Sequence, residues 1–303
     1  MSDLSVNIGS LELKNPVLAA SGTFGYGIEF TPFLDLNTLG GVVAKGLYFS
    51  PREGNPPPRL VETPSGLINA IGLQGIGVER FANEILPQLL VYQTALIVNV
   101  CGENEEEYAK VVEYLDSYDG IAAYELNISC PNVEEGGLCP ALKPDSTYSV
   151  VKRVKSVSSR PLITKLSPNV TDIVAIALSA QEAGSDAVSL VNTFLAMAVD
   201  VDTHKPKLAN VFGGLSGPAI KPIALRMVFQ VASRLDIPVI GIGGIMTGMD
   251  ALEFLVCGAT AVEVGTANFI DPECCLRILE ELEQFCQTNK ISRIEDIIGT
   301  LEV

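Results

Sequence analysis

Short apolar, β-branched runs recur along the chain, separated by longer stretches in which apolar positions return with helical spacing; this is the pattern of repeated βα units around a parallel sheet. Eight such runs occur, at 16–20, 41–45, 95–100, 122–128, 162–166, 187–192, 238–242 and 261–264. Helical periodicity fills 78–90, 105–117, 146–156, 172–183, 220–234, 249–257 and 273–287. Eight strands with intervening helices predict an α/β protein closed into a (β/α)8 TIM barrel, one domain over residues 1–303. The second connection is long and irregular, running through REGNPPPR at 52–59 and TPSGLINAIG at 63–72. Its three successive prolines exclude helix, and an insertion at this place is expected to lie over the C-terminal face of the barrel. No domain-scale linker, low-complexity tract or short repeat interrupts the pattern.

Barrel enzymes carry their chemistry where the strands end, so the residues closing each run matter most. Lys45 closes the second run, Asn99 stands near the end of the third and Asn127 near the end of the fourth. Lys165 falls at the end of the fifth, and Asn192 with Thr193 ends the sixth. A single asparagine there fits a chain merely leaving the core; its recurrence predicts a polar ligand over the barrel mouth. The lysines, in VVAKG and LITKL, are costly to bury without an anionic partner, and together they are expected to make a positive floor. The last two runs end in GIGGI at 241–245 and VGTA at 264–267. Glycine turns after the seventh and eighth strands are the recurring phosphate site of such barrels, which makes Gly243, Gly244, Gly265 and Thr266 candidates for holding a phosphate.

In ELNISCPN at 125–132, Cys130 follows Asn127 by three residues and precedes a proline that stops the strand. That places a thiol in the loop near Asn127, Asn132 and the lysines, where a reactive role competes with that of an inert small hydrophobe. The next stretch, NVEEGGLCPALKP, has paired glycines and few packing residues, and is expected to open and close over a substrate.

Charge and composition then remove alternatives. With 20 Lys+Arg against 36 Asp+Glu, the net charge of −16 speaks against nucleic acid or an anionic membrane surface as partner. The one histidine, His204, falls in a loop and cannot supply a multi-histidine metal cage; no metal site is expected. Seven cysteines without a C-x-x-C pair argue against a disulfide frame, a zinc ribbon or an iron–sulfur cluster in this chain. No dinucleotide fingerprint opens an early βα unit. The N-terminal stretch lacks a signal peptide or a membrane span, so a cytoplasmic protein is expected. The acidic run Glu103, Glu105, Glu106 and Glu107 suits the positive end of a helix.

Taken together, ASGTFGYG at 20–27, REGNPPPR, NAIGLQ at 69–74, ELNISCPN, KLSPNVTDI at 165–173, VNTF at 191–194, GGLSGPAIKPIAL at 213–225, GIGGI and VGTA closely resemble the dihydroorotate dehydrogenase family, in particular its class 1B catalytic subunits. The match spans nearly the whole chain. The resemblance implies flavin mononucleotide (FMN) across the barrel mouth, held by Ser21, Lys45, Gly46, Asn99, Asn127, Lys165, Val191, Gly217, Gly243, Gly244, Gly265 and Thr266. It implies a substrate, dihydroorotate, held by Lys45, Asn69, Ala70, Ile71, Gly72, Leu73, Asn127, Asn192 and Thr193. Cys130 would remove a proton from carbon 5 while a hydride leaves carbon 6 for the flavin, and Lys165 would face the negative charge gained there. Asparagine amides, which donate and accept, match the alternating N–H and C=O edge of a dihydropyrimidine. With NAD as final acceptor, a separate iron–sulfur/FAD subunit is implied, in a heterotetramer of two catalytic and two electron-transfer chains around a homodimeric core. A stand-alone, fumarate-using class 1A enzyme and another FMN barrel acting on a dihydropyrimidine are the alternatives. One departure stands out: after Asn132 the family more often has a basic residue and then Phe-Gly, where this chain has Glu134, Glu135 and Leu138-Cys139-Pro140. Cys139 is thereby a second thiol beside the one implied as base.

Overall fold

The computed structural model describes residues 2–129 and 143–303. The eight apolar runs become eight parallel strands: β1 Val17–Ala19, β2 Gly41–Leu47, β3 Ala95–Val100, β4 Ala123–Asn127, β5 Leu162–Lys165, β6 Ala187–Leu190, β7 Val239–Ile242 and β8 Ala261–Val264. Each pairs with the next in sequence, and β8 closes on β1 with Val262 beside Val17 and Val264 beside Ala19. This is the expected (β/α)8 barrel. Helices cover its outer face, so both sides of every strand lose water and the strands read as unbroken apolar runs. Leu18, Val43, Ile97, Leu126, Val188 and Ile240 are fully buried in that core.

Helices Glu105–Asp116, Pro144–Lys155, Ile173–Glu182, Lys221–Ala232, Gly248–Val256 and Cys274–Asn289 lie where the periodicity puts them. The acidic run does open a helix: the Asn104 side chain accepts from the Glu107 N–H at 3.1 Å, and Glu107 accepts from the Glu103 N–H at 2.9 Å. The helix expected over 78–90 is broken into Val78–Arg80, a π-turn at Phe81–Ile85, and Leu86–Leu89. Pro87 is the cause: it has no N–H for the Asn83 carbonyl and its ring crowds that oxygen, so the turn before it widens.

The insertion after β2 is more regular than its sequence suggests. Residues 53–59 do lack helix and strand. Leu60–Thr63 and Gly66–Asn69, however, form a hairpin extended by Phe212–Ser216 and Phe194–Met197 into a four-stranded antiparallel sheet. The pairing that makes Gly66–Asn69 an inner strand lies far along the chain, with Asn69 opposite Gly214, so no local pattern announces it. Ile68, Ala70 and Leu208 form a small separate core for this sheet.

Candidate active site

One pocket gathers the strand ends. Lys45, Asn99, Asn127, Lys165, Val191, Asn192 and Thr193 line it together with Ser21, Gly46 and the glycine turns at Gly217, Gly243, Gly244, Gly265 and Thr266. The accessory sheet and the loop after it add Asn69, Ile71, Gly72 and Leu73. Ala70 is the exception among the described candidates: in extended chain alternate side chains face opposite ways, so Asn69 and Ile71 reach the pocket while Ala70 turns into the small core. Cys130, Asn132, Glu134, Glu135 and Cys139 lie outside the described residues.

Lys165 is almost fully buried, and the protein itself supplies its partners. Its Nζ stands 3.4 Å from Glu263 Oε2, 3.5 Å from Glu125 Oε2 and 3.3 Å from Ser21 Oγ. Burial alone would push this ammonium down, but the two carboxyls outweigh it and hold the pKa above the ordinary lysine value. Glu125 also accepts from Ser189 Oγ at 2.7 Å and from the Asn99 amide. Burial raises it, but the Lys165 charge and these donors win, so it stays ionised. Glu263 goes the other way: burial first, and then the Glu125 charge, push its carboxyl well above the carboxylate range.

Lys45 has different surroundings. It is half-buried, and it makes no ion pair among the described residues. Desolvation, then the nearby Arg59 charge, lower its pKa. Among the described residues Arg59 donates to Gln74 Oε1, at 2.8 Å, and to the Asn55 carbonyl, at 3.4 Å. The positive floor expected from both lysines is thus confined to Lys45 and Arg59, because a carboxylate matches Lys165.

Between them runs a chain of amides and one hydroxyl. Asn127 Nδ2 donates to Asn99 Oδ1 at 3.3 Å, Ser129 Oγ donates to Asn127 Oδ1 at 3.0 Å, and Asn192 Nδ2 donates to Ser129 Oγ at 2.8 Å. These bonds fix which way each amide points, so the free edges offer a set pattern of donors and acceptors. Asn169 extends the support by donating to the Thr193 carbonyl at 3.0 Å.

The glycine turns fit a phosphate. Gly217, Gly243 and Gly244 have φ of 93°, 126° and 76°, which only glycine adopts without strain. A Cβ on Gly244 would stand 2.7 Å from Lys221 Cβ and 2.9 Å from the Gly217 carbonyl, whereas one on Gly265 would meet nothing nearer than 3.8 Å. Gly265 thus leaves room open beside the pocket. The N–H groups of Gly243 and Gly244 bond no acceptor among the described residues, and Thr266 Oγ1 and Ser216 Oγ lie 2.8 Å apart. Unpaired donors and hydroxyls on a close turn are the donor set a phosphate needs.

Sequence reasoning passed over Glu125, Glu263, Ser189, Ser129, Ser216, Arg59 and Gln74. For the two glutamates a signal existed: a carboxylate inside an apolar barrel strand, AYELN or AVEV, is as costly to bury as the lysines that drew attention. For the serines no pattern distinguishes a site hydroxyl from a turn residue.

Fold and site define the class first: a (β/α)8 barrel of enzyme type, with a donor set suited to a phosphate and oriented amides suited to a polar ligand at its mouth. A model of the dihydroorotate dehydrogenase family matches residues 3–286. The Geobacter sulfurreducens dihydroorotate dehydrogenase B (NAD(+)) catalytic subunit is 54% identical over 301 residues, 99% of each chain. The protein of the same description from Bacteroides thetaiotaomicron is 51% identical over 303 residues, covering 100% of both. The crystal structure of DHODH in complex with ferulenol from Eimeria tenella shares the fold, with a TM-score of 0.81 at 23% identity over 98% of this chain and 88% of that one. The chain belongs to the dihydroorotate dehydrogenase family, an oxidoreductase family that works with a flavin. Among the described residues no helix is long and apolar enough to cross a membrane.

Proposed function

We propose that residues 1–303 form one FMN-binding unit, the catalytic subunit of an NAD-linked dihydroorotate dehydrogenase that converts (S)-dihydroorotate to orotate in pyrimidine biosynthesis in the cytoplasm. The observation that carries this reading is the single pocket in which glycine turns with unpaired N–H groups, an oriented amide chain and the unmatched Lys45 charge meet. When bound, FMN supplies the two-electron acceptor. The chain's own residues do the rest. Gly217, Gly243, Gly244, Gly265 and Thr266 hold the phosphate, and Asn127, Asn192 and Thr193 match the substrate ring edge. Lys45, with Asn69 and the loop at 71–73, takes the substrate carboxylate. Lys165 keeps its charge where negative charge arrives.

Cys130 is the general base of this reading. Support comes from its neighbour in the chain: Ser129 is buried and bonded to both Asn127 and Asn192, the amides assigned to substrate. Electrons then pass to NAD through an iron–sulfur/FAD subunit, in a heterotetramer of two chains of each kind built on a homodimer. The relatives at 51–54% identity, described as NAD(+)-linked catalytic subunits, favour this acceptor over fumarate.

The purified chain should absorb near 450 nm, as flavin does, after reconstitution with FMN (about that wavelength). Orotate formation is then assayed with the chain alone and with an iron–sulfur flavoprotein subunit, offering NAD or fumarate; NAD reduction only with the partner is the expected result. Robust fumarate-linked turnover by the chain alone would replace it by the class 1A reading. Cys130→Ala should keep flavin and bind orotate while turnover falls about 10² to 10⁴-fold. Unchanged turnover removes Cys130 as the base.

A further inference from the structure

Barrel interiors are normally filled by layers of branched aliphatic side chains, each layer drawn from alternate strands. Here the even strands β4, β6 and β8 contribute Glu125, Ser189 and Glu263, all buried, against Lys165 of β5. Glu125 and Glu263 both reach the Lys165 ammonium, at 3.5 and 3.4 Å. Two carboxylates and one ammonium would leave a net negative charge in a water-excluded layer.

The two acids are unequally served. Glu125 accepts from Ser189, Asn99, Ser21 and Lys165. Glu263 has Lys165 on Oε2, while its Oε1 is the one buried side-chain nitrogen or oxygen among the described residues without a hydrogen-bond partner. An ionised oxygen with no donor is the most costly arrangement available to the pair, so the proton belongs on Glu263.

We propose that Glu125 and Glu263 hold one proton between them, carried on Glu263, and that this pair is a positioning device for Lys165, keeping the cluster beside the cofactor pocket neutral rather than negative. The role rests on the flavin reading of the pocket; the shared proton does not. Burial and the charge of Glu125 keep the Glu263 carboxyl well above its ordinary range, in line with the geometry. Among the described residues the titratable groups facing Glu263 are Glu125 and Lys165; its neighbours in register on β7 and β1 are Ile242 and Leu18. Losing the Glu263 proton adds a full negative charge at short range in low dielectric, which opposes negative charge arriving on a cofactor in the pocket. The cofactor's midpoint potential should therefore fall where Glu263 ionises.

Isotope-edited infrared spectroscopy on flavin-free protein with labelled glutamate tests the proton directly. A neutral carboxylic acid band should persist above the ordinary carboxylate pH range and vanish in Glu263→Gln. Potentiometry of the flavin-loaded protein tests the role: the wild-type potential should show an extra downward inflection at the pH where the band disappears, and Glu263→Gln should lack it and continue the low-pH limb. Absence of the band from wild-type protein at neutral pH overturns the shared proton. A band together with superimposable potential curves for wild type and Glu263→Gln overturns the positioning role. Should the variant not fold, wild type decides: coincident band loss and inflection support the proposal, separate pH values overturn it. A chain that takes up no flavin overturns the cofactor reading and the positioning role with it, while the infrared band still decides the proton.

Discussion

Lys45 and Lys165 line the same pocket and come from barrel strands flanked by similar apolar residues, yet the protein treats them oppositely. Lys165 is enclosed with Glu125 and Glu263, which hold its pKa above the ordinary lysine value of 10.5. Lys45 is half-buried beside another cation, Arg59, and its pKa lies below that value. One charge is satisfied by the fold; the other has no ion-pair partner among the described residues. An ammonium with internal partners serves to place and tune, whereas one kept without them at some cost to the protein is the better mark of a binding contact.

The comparison breaks most visibly at Lys165. Lys165→Met leaves Glu125 ionised and buried without its cation, so stability should fall by about 3 to 5 kcal/mol, as measured by urea unfolding of flavin-free protein. A loss below about 1 kcal/mol would mean that the cluster is not a buried ion pair. Lys45→Met should do the reverse. Stability stays within about 0.5 kcal/mol of wild type, leaning towards more stable, while KM for dihydroorotate rises about ten- to a hundred-fold, the worth of one charged hydrogen bond. Equal losses of stability in the two variants would erase the distinction.

The pH dependence sharpens it. Lys165 is raised, so its stabilisation is complete below 10.5 and is lost only as pH climbs through its folded pKa, above that value. Lys45 is lowered, so its penalty is complete below its folded pKa and fades as pH climbs from there towards 10.5. Differences in unfolding free energy between wild type and each methionine variant should therefore shrink in separate windows, the Lys45 difference first. A common window would contradict the opposite assignments. The smallest effect is expected at the hydroxyl between the substrate-side amides: Ser129→Ala should cost about 0.5 to 1.5 kcal/mol of stability and raise KM modestly. An unchanged KM would show that Asn127 and Asn192 keep their orientation without it.

Much of the fold was legible because a parallel barrel strand is apolar on both faces, so the runs at 95–100 and 261–264 coincide with β3 and β8. Strand ends and glycine turns were legible as chemistry because barrels place function there. What escaped shares a cause. Glu125 and Glu263 are 40 and 98 residues from Lys165, and Ser129 meets Asn192 across 63 residues. Ala70 lies off the pocket lining because the pleat turns alternate side chains away from it, which a motif match taken as one segment does not show.

The sequence by itself determined the barrel, the polar character of its mouth and the exclusion of histidine chemistry, since periodicity, strand-end residues and composition are local or additive properties. Only the tertiary structure decided which lysine is neutralised, which carboxyl keeps a proton and which amides point where. Those depend on charges and hydrogen bonds brought together by closure of the barrel, where a low dielectric makes a few ångströms decide the sign of the interaction.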